Sequence, residues 1–234
     1  MQNEIAQLPW QIYRETLHNK GFVIIDNFLS EEQCDALRQQ YDNPGLYRKT
    51  ITMERYRFGK GEYKYMKYPL PPLIQSLREA VYEQIVPVAN QWMEQVKSDT
   101  RYPPKLSELH ELCAAHQQVL PTVLILKYQQ DGFNTLHQDL YGDIFFPLQM
   151  VFMLTEPEAD YSGGEFVITE QIPRAQSKAN VLKPRKGSVL IFATNYRPVK
   201  GTQGYYRVNM KHGVSTVHNG QRFSLGVIFH DALT

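Results

Sequence analysis

The chain has 234 residues, of which 42% are hydrophobic and 21% charged, and its formal net charge is +1. This length predicts one large domain, and the composition is that of a soluble globular protein rather than a disordered or fibrous one. The nearly neutral charge excludes a strong overall attraction to nucleic acid or membranes, and no apolar run reaches the roughly 18 residues of a membrane helix.

The first half of the chain is predicted to be mostly helical. A strand is expected at 21–29, and Ser30 with Gln33 forms a capping box that starts the helix after it. Pro71 and Pro72 mark the start of a long amphipathic helix, since proline is favoured in a first helical turn. The predicted helices are 9–19, the one after Ser30, 71–96 and 106–117.

The second half is predicted to be a series of short strands. Glycine, proline, aspartate and asparagine separate apolar runs from residue 119 onward, which favours a β-sandwich or barrel over alternating strands and helices. The predicted strands are 121–128, one starting at His137, 146–155, 164–169, 179–183, 187–193, 205–218 and 222–229.

A metal site is predicted from two histidines and one carboxylate. Side chains alternate along a strand, so His137 and Asp139 are expected to project to the same side. His212, in a later strand, supplies a third ligand. Two histidines and a carboxylate form the facial triad of non-haem iron(II) oxygenases, although a catalytic zinc site uses similar ligands.

Arg222 distinguishes His212 from the other histidines. It follows His212 by ten residues and opens the last predicted strand, where it could lie beside the metal. A guanidinium is a bidentate partner for a carboxylate, so Arg222 predicts a ligand with a free carboxylate.

Other candidate ligands fit the pattern less well. His218 lies only four residues before Arg222, and no basic residue follows His230. Asp143 is an alternative carboxylate, but it lies beyond Gly142. A further group, His110, Cys113 and His116, is interpreted as a helix surface because these spacings diverge around a helix.

These residues resemble the 2-oxoglutarate/iron(II) oxygenase superfamily, including its prolyl hydroxylase branch. The closest resemblance is to bacterial stand-alone oxygenases proposed to act on damaged nucleic acid, a role inferred from AlkB-type demethylases. The motifs that carry it are Gly61-Glu62-Tyr63-Lys64-Tyr65, Tyr68-Pro69-Leu70-Pro71-Pro72, Leu136-His137-Gln138-Asp139-Leu140-Tyr141-Gly142, Gly163-Gly164-Glu165-Phe166, Gly187-Ser188-Val189-Leu190-Ile191-Phe192 and Ile228-Phe229-His230-Asp231.

The resemblance implies a mainly β fold with flanking helices: a double-stranded β-helix (jelly roll) core with a helical N-terminal elaboration. It implies a single domain over 1–234, with a flank at 1–118 and a core at 119–232. Iron(II) would be held by His137, Asp139 and His212. The cosubstrate 2-oxoglutarate would pair with Arg222 and contact Tyr128, and O₂ would complete the reaction.

The substrate is the least determined part of the prediction. Residues 48–67 carry seven basic and two acidic side chains with interleaved aromatics, a composition suited to single strands or flipped bases. A solvated basic loop is the structural alternative, and a peptide or small anion could use the same patch. A second basic stretch, Arg197, Lys200, Arg207 and Lys211, could complete a cationic rim around the iron.

Three functions are therefore considered. The first is oxidative demethylation of alkylated nucleic acid, the second is hydroxylation of a protein (prolyl-type) or small molecule, and the third is a non-catalytic binding module. The two cysteines and the absence of a signal-peptide pattern favour a reduced, cytoplasmic location without a membrane partner. The sequence leaves the oligomeric state open.

Overall fold

The computed structural model describes residues 2–233, which contain five α-helices and fifteen strands. The helices are α1 Gln2–Ala6, α2 Trp10–Lys20, α3 Glu31–Gln39, α4 Pro72–Gln95 and α5 Leu106–Ala115. The strands are β1 Phe22–Ile25, β2 Tyr47–Thr52, β3 Gly59–Lys60, β4 Glu62–Met66, β5 Val123–Tyr128, β6 Phe133–His137, β7 Leu148–Met153, β8 Tyr161–Gly163, β9 Phe166–Gln171, β10 Ser177–Leu182, β11 Val189–Ala193, β12 Tyr196–Gly201, β13 Gly204–Val214, β14 Val217–Gly220 and β15 Arg222–Ile228.

The strands form two large antiparallel sheets. The major sheet has the order β1-β11-β7-β15-β5-β4-β2, and the minor sheet has the order β10-β9-β13-β6-β3, with β12 paired to β13. Strands β8 and β14 make a separate pair. Every residue of β7 and β15 is buried, so both faces of the major sheet's centre are covered. One apolar core joins these strands to α4 and to the minor sheet.

Local signals predicted several boundaries correctly. Helix α2 ends at Gly21, which has a left-handed φ of 77°, and Ser30 and Gln33 form the expected capping box at the start of α3. The paired glycines Gly163 and Gly164 have φ values of 69° and 62° and turn the chain immediately before β9. Residues other than glycine rarely adopt such φ values, which explains why two glycines occupy this turn.

Three strand predictions were wrong in extent. The predicted strand at 21–29 is only β1, because a turn follows Ile25. The predicted strand at 205–218 is divided into β13 and β14, which belong to different sheets. The strand expected to start at His137 ends there instead.

The segment 48–67 is not a solvated loop. It forms β2, a 3₁₀ helix at Met53–Tyr56, β3 and β4. Strand β4 pairs with β5 of the major sheet, whereas β3 pairs with β6 of the minor sheet. The segment therefore connects one edge of each sheet, and the division into a flank at 1–118 and a core at 119–232 stays a prediction.

Candidate metal centre and its pocket

A pocket of about 220 Å³ opens between the two large sheets. Its walls come from both sheets and are mostly apolar, with polar side chains grouped at few points. All five residues predicted for the site line it: Tyr128, His137, Asp139, His212 and Arg222.

The two histidines lie on neighbouring strands of the minor sheet. His137 is the last residue of β6 and stands directly opposite His212 of β13 in the strand register. Their ring centroids are 4.2 Å apart. Cross-strand neighbours of this kind project to the same face, so both rings face the pocket.

Asp139 reaches the histidines by a different route from the one predicted. It lies two residues beyond the end of β6, so strand alternation does not place it. Its carboxylate is nevertheless 3.6 Å from His137 Nε2 and 3.2 Å from His212 Nε2. The intervening Gln138 donates from its side-chain amide to the backbone carbonyls of Asn195 and Met210, and thereby holds this turn against β13.

The protonation of the site favours metal binding. The charge of His137 and hydrogen bonds from His212 and Tyr141 outweigh the effect of burial and hold the pKa of Asp139 well below its usual range. Burial, with a smaller effect of His137, lowers the pKa of His212. His137 Nδ1 donates to the Thr135 carbonyl at 2.7 Å, so Nε2 is the ring nitrogen that faces Asp139.

The donor set fits a divalent transition metal. Ligand atoms of His137, Asp139 and His212 all lie within 4.8 Å of one another, and among residues 2–233 this is the one group of three such side chains. Two imidazoles and one carboxylate on one side of an ion leave its remaining positions for other ligands.

The rejected candidates lie elsewhere or have other partners. Asp143 is exposed and does not join the group, and His218 lies on β14. His230 is buried and accepts a hydrogen bond from the Phe146 N–H.

The interpretation of 110–116 as a helix surface was wrong for two of its three residues. Cys113 is fully buried, and the side chain of His110, only 21% exposed, contacts the Phe229 carbonyl. Only His116 is exposed. Helix α5 uses this face for packing.

Arg222 is a buried cation without a carboxylate partner. Its residue is 1% exposed, and it opens β15 directly opposite Tyr128 of β5. Its guanidinium donates to Ser224 Oγ at 3.1 Å and contacts Met153 Sδ at 3.6 Å, while Nε has no partner. No carboxylate among residues 2–233 forms an ion pair with it, so an anion in the pocket would complete its hydrogen bonding.

Tyr128 adds an available hydroxyl beside this cation. Its ring lies 5.6 Å from the Arg222 guanidinium carbon, and burial raises its pKa to about 12. Its buried oxygen forms no hydrogen bond within normal bonding distance. The pair therefore presents hydrogen-bond donors to the same end of the pocket.

Several pocket residues were not predicted. Tyr141 donates to Asp139 at 2.7 Å, and Tyr65 lies 3.1 Å from the Tyr141 hydroxyl. Ser224 supports Arg222 from two positions along the same strand, a spacing that could have indicated it. Tyr65 comes from the first half of the chain, where no sequence pattern predicted that β4 would pair with β5.

The basic segment 48–67 is less uniform than its composition indicated. Arg48 lies over the Tyr65 ring, Lys64 lies over Tyr41, and Lys60 pairs with Asp131. In the second basic stretch, Arg197 pairs with Glu170 and Arg207 lies over the Tyr196 ring. Contacts within the protein thus engage part of both basic stretches, and a cationic rim around the iron stays a prediction.

Among residues 2–233, no helix has both the length and the apolar character required to cross a membrane. Cys34 and Cys113 are both unpaired and buried.

The chain matches a protein-family model described as "Oxygenase, catalysing oxidative methylation of damaged DNA" over residues 61–232. It is also 41% identical, over 164 residues, to an uncharacterized protein of Mycobacterium tuberculosis strain H37Rv, and the alignment covers 70% of each chain. A protein of strain CDC 1551 gives the same values.

Solved structures with a similar fold include a prolyl-4-hydroxylase from Pseudomonas putida, with a TM-score of 0.58 and 14% identity over 95% of this chain and 98% of that one. An oxidoreductase of the 2OG-Fe(II) oxygenase family from Burkholderia pseudomallei has a TM-score of 0.56 and 15% identity, over 97% and 94% of the two chains. These likenesses confirm the predicted mainly β jelly-roll fold class.

Proposed function

The chain belongs to the Oxygenase-NA family, and we propose that this Fe(II)- and 2-oxoglutarate-dependent oxygenase removes alkyl groups oxidatively from damaged nucleic acid. The observation that carries the cosubstrate assignment is the unpaired buried guanidinium of Arg222 in the same pocket as the metal-ligand group. The nucleic-acid substrate is supported by the family description and by the basic, aromatic segment 48–67.

His137, Asp139 and His212 would hold the iron, which, with 2-oxoglutarate and O₂, supplies the hydroxylation of a substrate C–H bond with release of succinate and CO₂. On an N-methyl group, the resulting N-hydroxymethyl group breaks down to formaldehyde and the free base. A carbon centre would instead keep the hydroxyl group.

The chain's own residues position the reactants and exclude water. Arg222 would bind the far carboxylate of 2-oxoglutarate through charged N–H donors, and the Tyr128 hydroxyl, in the same pocket, would supply a further donor. Tyr141 and Gln138 hold Asp139 and its turn in place. The apolar walls, including Leu126, shield the reacting atoms from bulk solvent.

Hydroxylation of a protein side chain is the second candidate. Its support is the fold likeness to prolyl hydroxylases, which extends to the fold alone at 14–15% identity. A peptide substrate would give a product heavier by one oxygen atom rather than formaldehyde.

The test is a product assay on protein loaded with Fe(II) and 2-oxoglutarate without oxygen and then exposed to it. We expect some succinate with every candidate substrate. With N-methylated oligonucleotides we expect formaldehyde in an amount equal to the succinate. His137→Ala and Asp139→Ala should abolish both products, whereas His116→Ala, at an exposed histidine, should retain them. Succinate that never exceeds background, with any substrate, would refute the enzyme assignment; an oxygenated peptide without formaldehyde would refute the substrate.

A further inference from the structure

Two aromatic side chains are stacked on the surface beside the pocket. The rings of Tyr56 and Phe58 lie 5.5 Å apart at an interplanar angle of 18°. These residues are 53% and 45% exposed, so solvent reaches much of both side chains. Exposed apolar side chains are ordinary when isolated, but a stacked pair at the mouth of a pocket indicates a binding surface.

This pair is attached to the strand that carries the metal ligand His137. The Phe58 carbonyl accepts hydrogen bonds from the N–H and hydroxyl of Thr135, both at 2.9 Å. Phe58 and Thr135 also line the pocket, whereas Tyr56 lies outside the group of lining residues. The stack therefore continues the pocket wall outward: Phe58 lies in the wall and Tyr56 lies beyond it.

The stack is flanked by two exposed arginines that have no acidic partner among residues 2–233. Arg55 and Arg57 flank Tyr56 in sequence and are both exposed, and neither forms an ion pair with another residue of 2–233. The nearest acid in sequence, Glu54, accepts a hydrogen bond from the Gly61 N–H and forms no ion pair with either arginine. A polyanion would thus meet two unneutralised guanidinium groups here.

We propose that Tyr56 and Phe58 form a stacking platform for an unpaired nucleotide adjacent to the base in the pocket, with Arg55 and Arg57 contacting its phosphates. The inference rests on the proposed function and specifies the form of its substrate. Base faces are covered in a duplex but free in a single strand, and aromatic stacking with cations along the backbone is how single strands are bound without sequence preference. Acidic peptides lack such flat faces.

Binding is tested with a short fluorescein-labelled single strand of DNA, measured by anisotropy on the full chain loaded with Mn(II). We expect Tyr56→Ala and Phe58→Ala each to weaken binding roughly fivefold to a hundredfold, because one stacked base contributes about that factor. Tyr56→Trp, which keeps an aromatic ring at this position, should retain the wild-type affinity. Tyr205→Ala, at an exposed tyrosine of the β13 hairpin, should leave the affinity unchanged.

The charges are tested by the salt dependence of the same binding. Arg55→Gln and Arg57→Gln should each reduce the slope of log affinity against log salt by about one, as expected for one lost phosphate contact. Arg174→Gln, an exposed arginine on the turn between β9 and β10, is the matched control. An unchanged slope in both Arg55 and Arg57 variants would overturn the phosphate contacts.

A comparison of substrate sizes separates the platform from the proposed function. Tyr56→Ala should lower kcat/KM for formaldehyde release from a methylated single strand but leave it unchanged for a methylated nucleoside, which has no neighbouring nucleotide to stack on Tyr56, a residue outside the pocket lining. Formaldehyde release with equal kcat/KM in wild type and Tyr56→Ala on the strand would overturn the platform and leave the proposed function intact.

The remaining outcomes concern the class of ligand. No formaldehyde from any wild-type assay would refute the proposed function, and the binding measurements would then decide the platform alone. Duplex DNA bound as tightly as the single strand would overturn the unpaired-base assignment. A labelled acidic peptide that binds more tightly than DNA, with the same loss in Tyr56→Ala, would assign the surface to a protein partner instead.

Discussion

Arg78 and Arg222 are both buried, but their surroundings differ. Arg78 pairs with Asp231 at 3.0 Å and also donates to the backbone carbonyls of Ile228 and Phe229. Arg222 contacts a neutral hydroxyl, a sulfur atom and the Tyr128 ring, and it forms no ion pair with a carboxylate among residues 2–233. Because an unpaired buried charge is destabilising by several kcal/mol, Arg78 is interpreted as a structural residue and Arg222 as a residue that awaits a ligand.

Removal of the Arg222 side chain should therefore affect cosubstrate binding. We expect Arg222→Ala to raise the KM for 2-oxoglutarate roughly tenfold or more, since hydrogen bonds to a charged group contribute about 1.5–3 kcal/mol. Steady-state succinate release against 2-oxoglutarate concentration measures it. Arg207→Ala, whose guanidinium lies over Tyr196, is the control. An unchanged KM would mean that another group binds the carboxylate.

Tyr141 should act on the metal through Asp139. Its hydroxyl donates to one carboxylate oxygen at 2.7 Å, and loss of such a partner typically weakens metal binding tenfold to a hundredfold. We expect Tyr141→Phe to raise the Kd for Mn(II), measured by titration calorimetry, roughly tenfold. Tyr65→Phe, which removes a hydroxyl bonded to Tyr141 and not to Asp139, should change it much less. Equal Kd values for wild type and Tyr141→Phe would contradict this role.

At the scale of elements, strand register places the site. His212 opposite His137 and Arg222 opposite Tyr128 are cross-strand pairs, one on each sheet, and the pocket lies between them. A sequence can indicate such pairings, because each member lies in a recognisable strand motif. It could not indicate the position of Asp139, which depends on the turn that Gln138 hydrogen-bonds to β13.

Helix α4 is joined to the C-terminal segment by the pair Arg78–Asp231. We expect Asp231→Asn to reduce the free energy of unfolding by about 3–5 kcal/mol, because it leaves the Arg78 charge uncompensated in the interior. Urea denaturation measures the change. Asp131→Asn breaks the exposed pair with Lys60 and should cost less than about 1 kcal/mol. Similar losses in both variants would show that burial does not govern these pairs.

Across the whole molecule, features that depend on residues close in sequence could be predicted, and features that depend on distant residues could not. The capping box of α3 depends on neighbours in sequence and was predicted, and Gly163 and Gly164 before β9 belong to a motif of the family resemblance. The pairing of β4 with β5 joins Glu62 to Lys127, which are 127 − 62 = 65 residues apart, and it was missed. His137 and Asp139 were predicted as ligands from a short motif, and His212 from the position of Arg222 ten residues later, but the walls of the pocket come from distant segments.

The global stability should fall on acidification because of buried histidines. Burial lowers the pKa of His110 to about 4 and that of His230 to about 3, whereas both titrate near 6.5 in the unfolded chain. The unfolded state therefore binds protons first, so stability is full above about pH 6.5 and declines as pH falls toward 4. Urea unfolding between pH 7 and pH 5, roughly, measures this slope.

The matched variant for this slope is His110→Gln, which should flatten it relative to wild type. His116→Gln, at the exposed end of α5, should leave the slope as it is. A slope that His110→Gln does not alter would mean that His110 is protonated in the folded protein as readily as in the unfolded one.

The strand that ends at His137 has a weak attachment. Strand β6 shares only two registered pairs with β13, with an irregularity between them, whereas β9 shares six with the same strand. The segment with Tyr56 and Phe58 is hydrogen-bonded to β6 through Thr135. One ion bound by both His137 and His212 would link β6 to β13 and stabilise the position of this segment. We therefore expect an order of assembly in which the metal is loaded first and the nucleic acid follows.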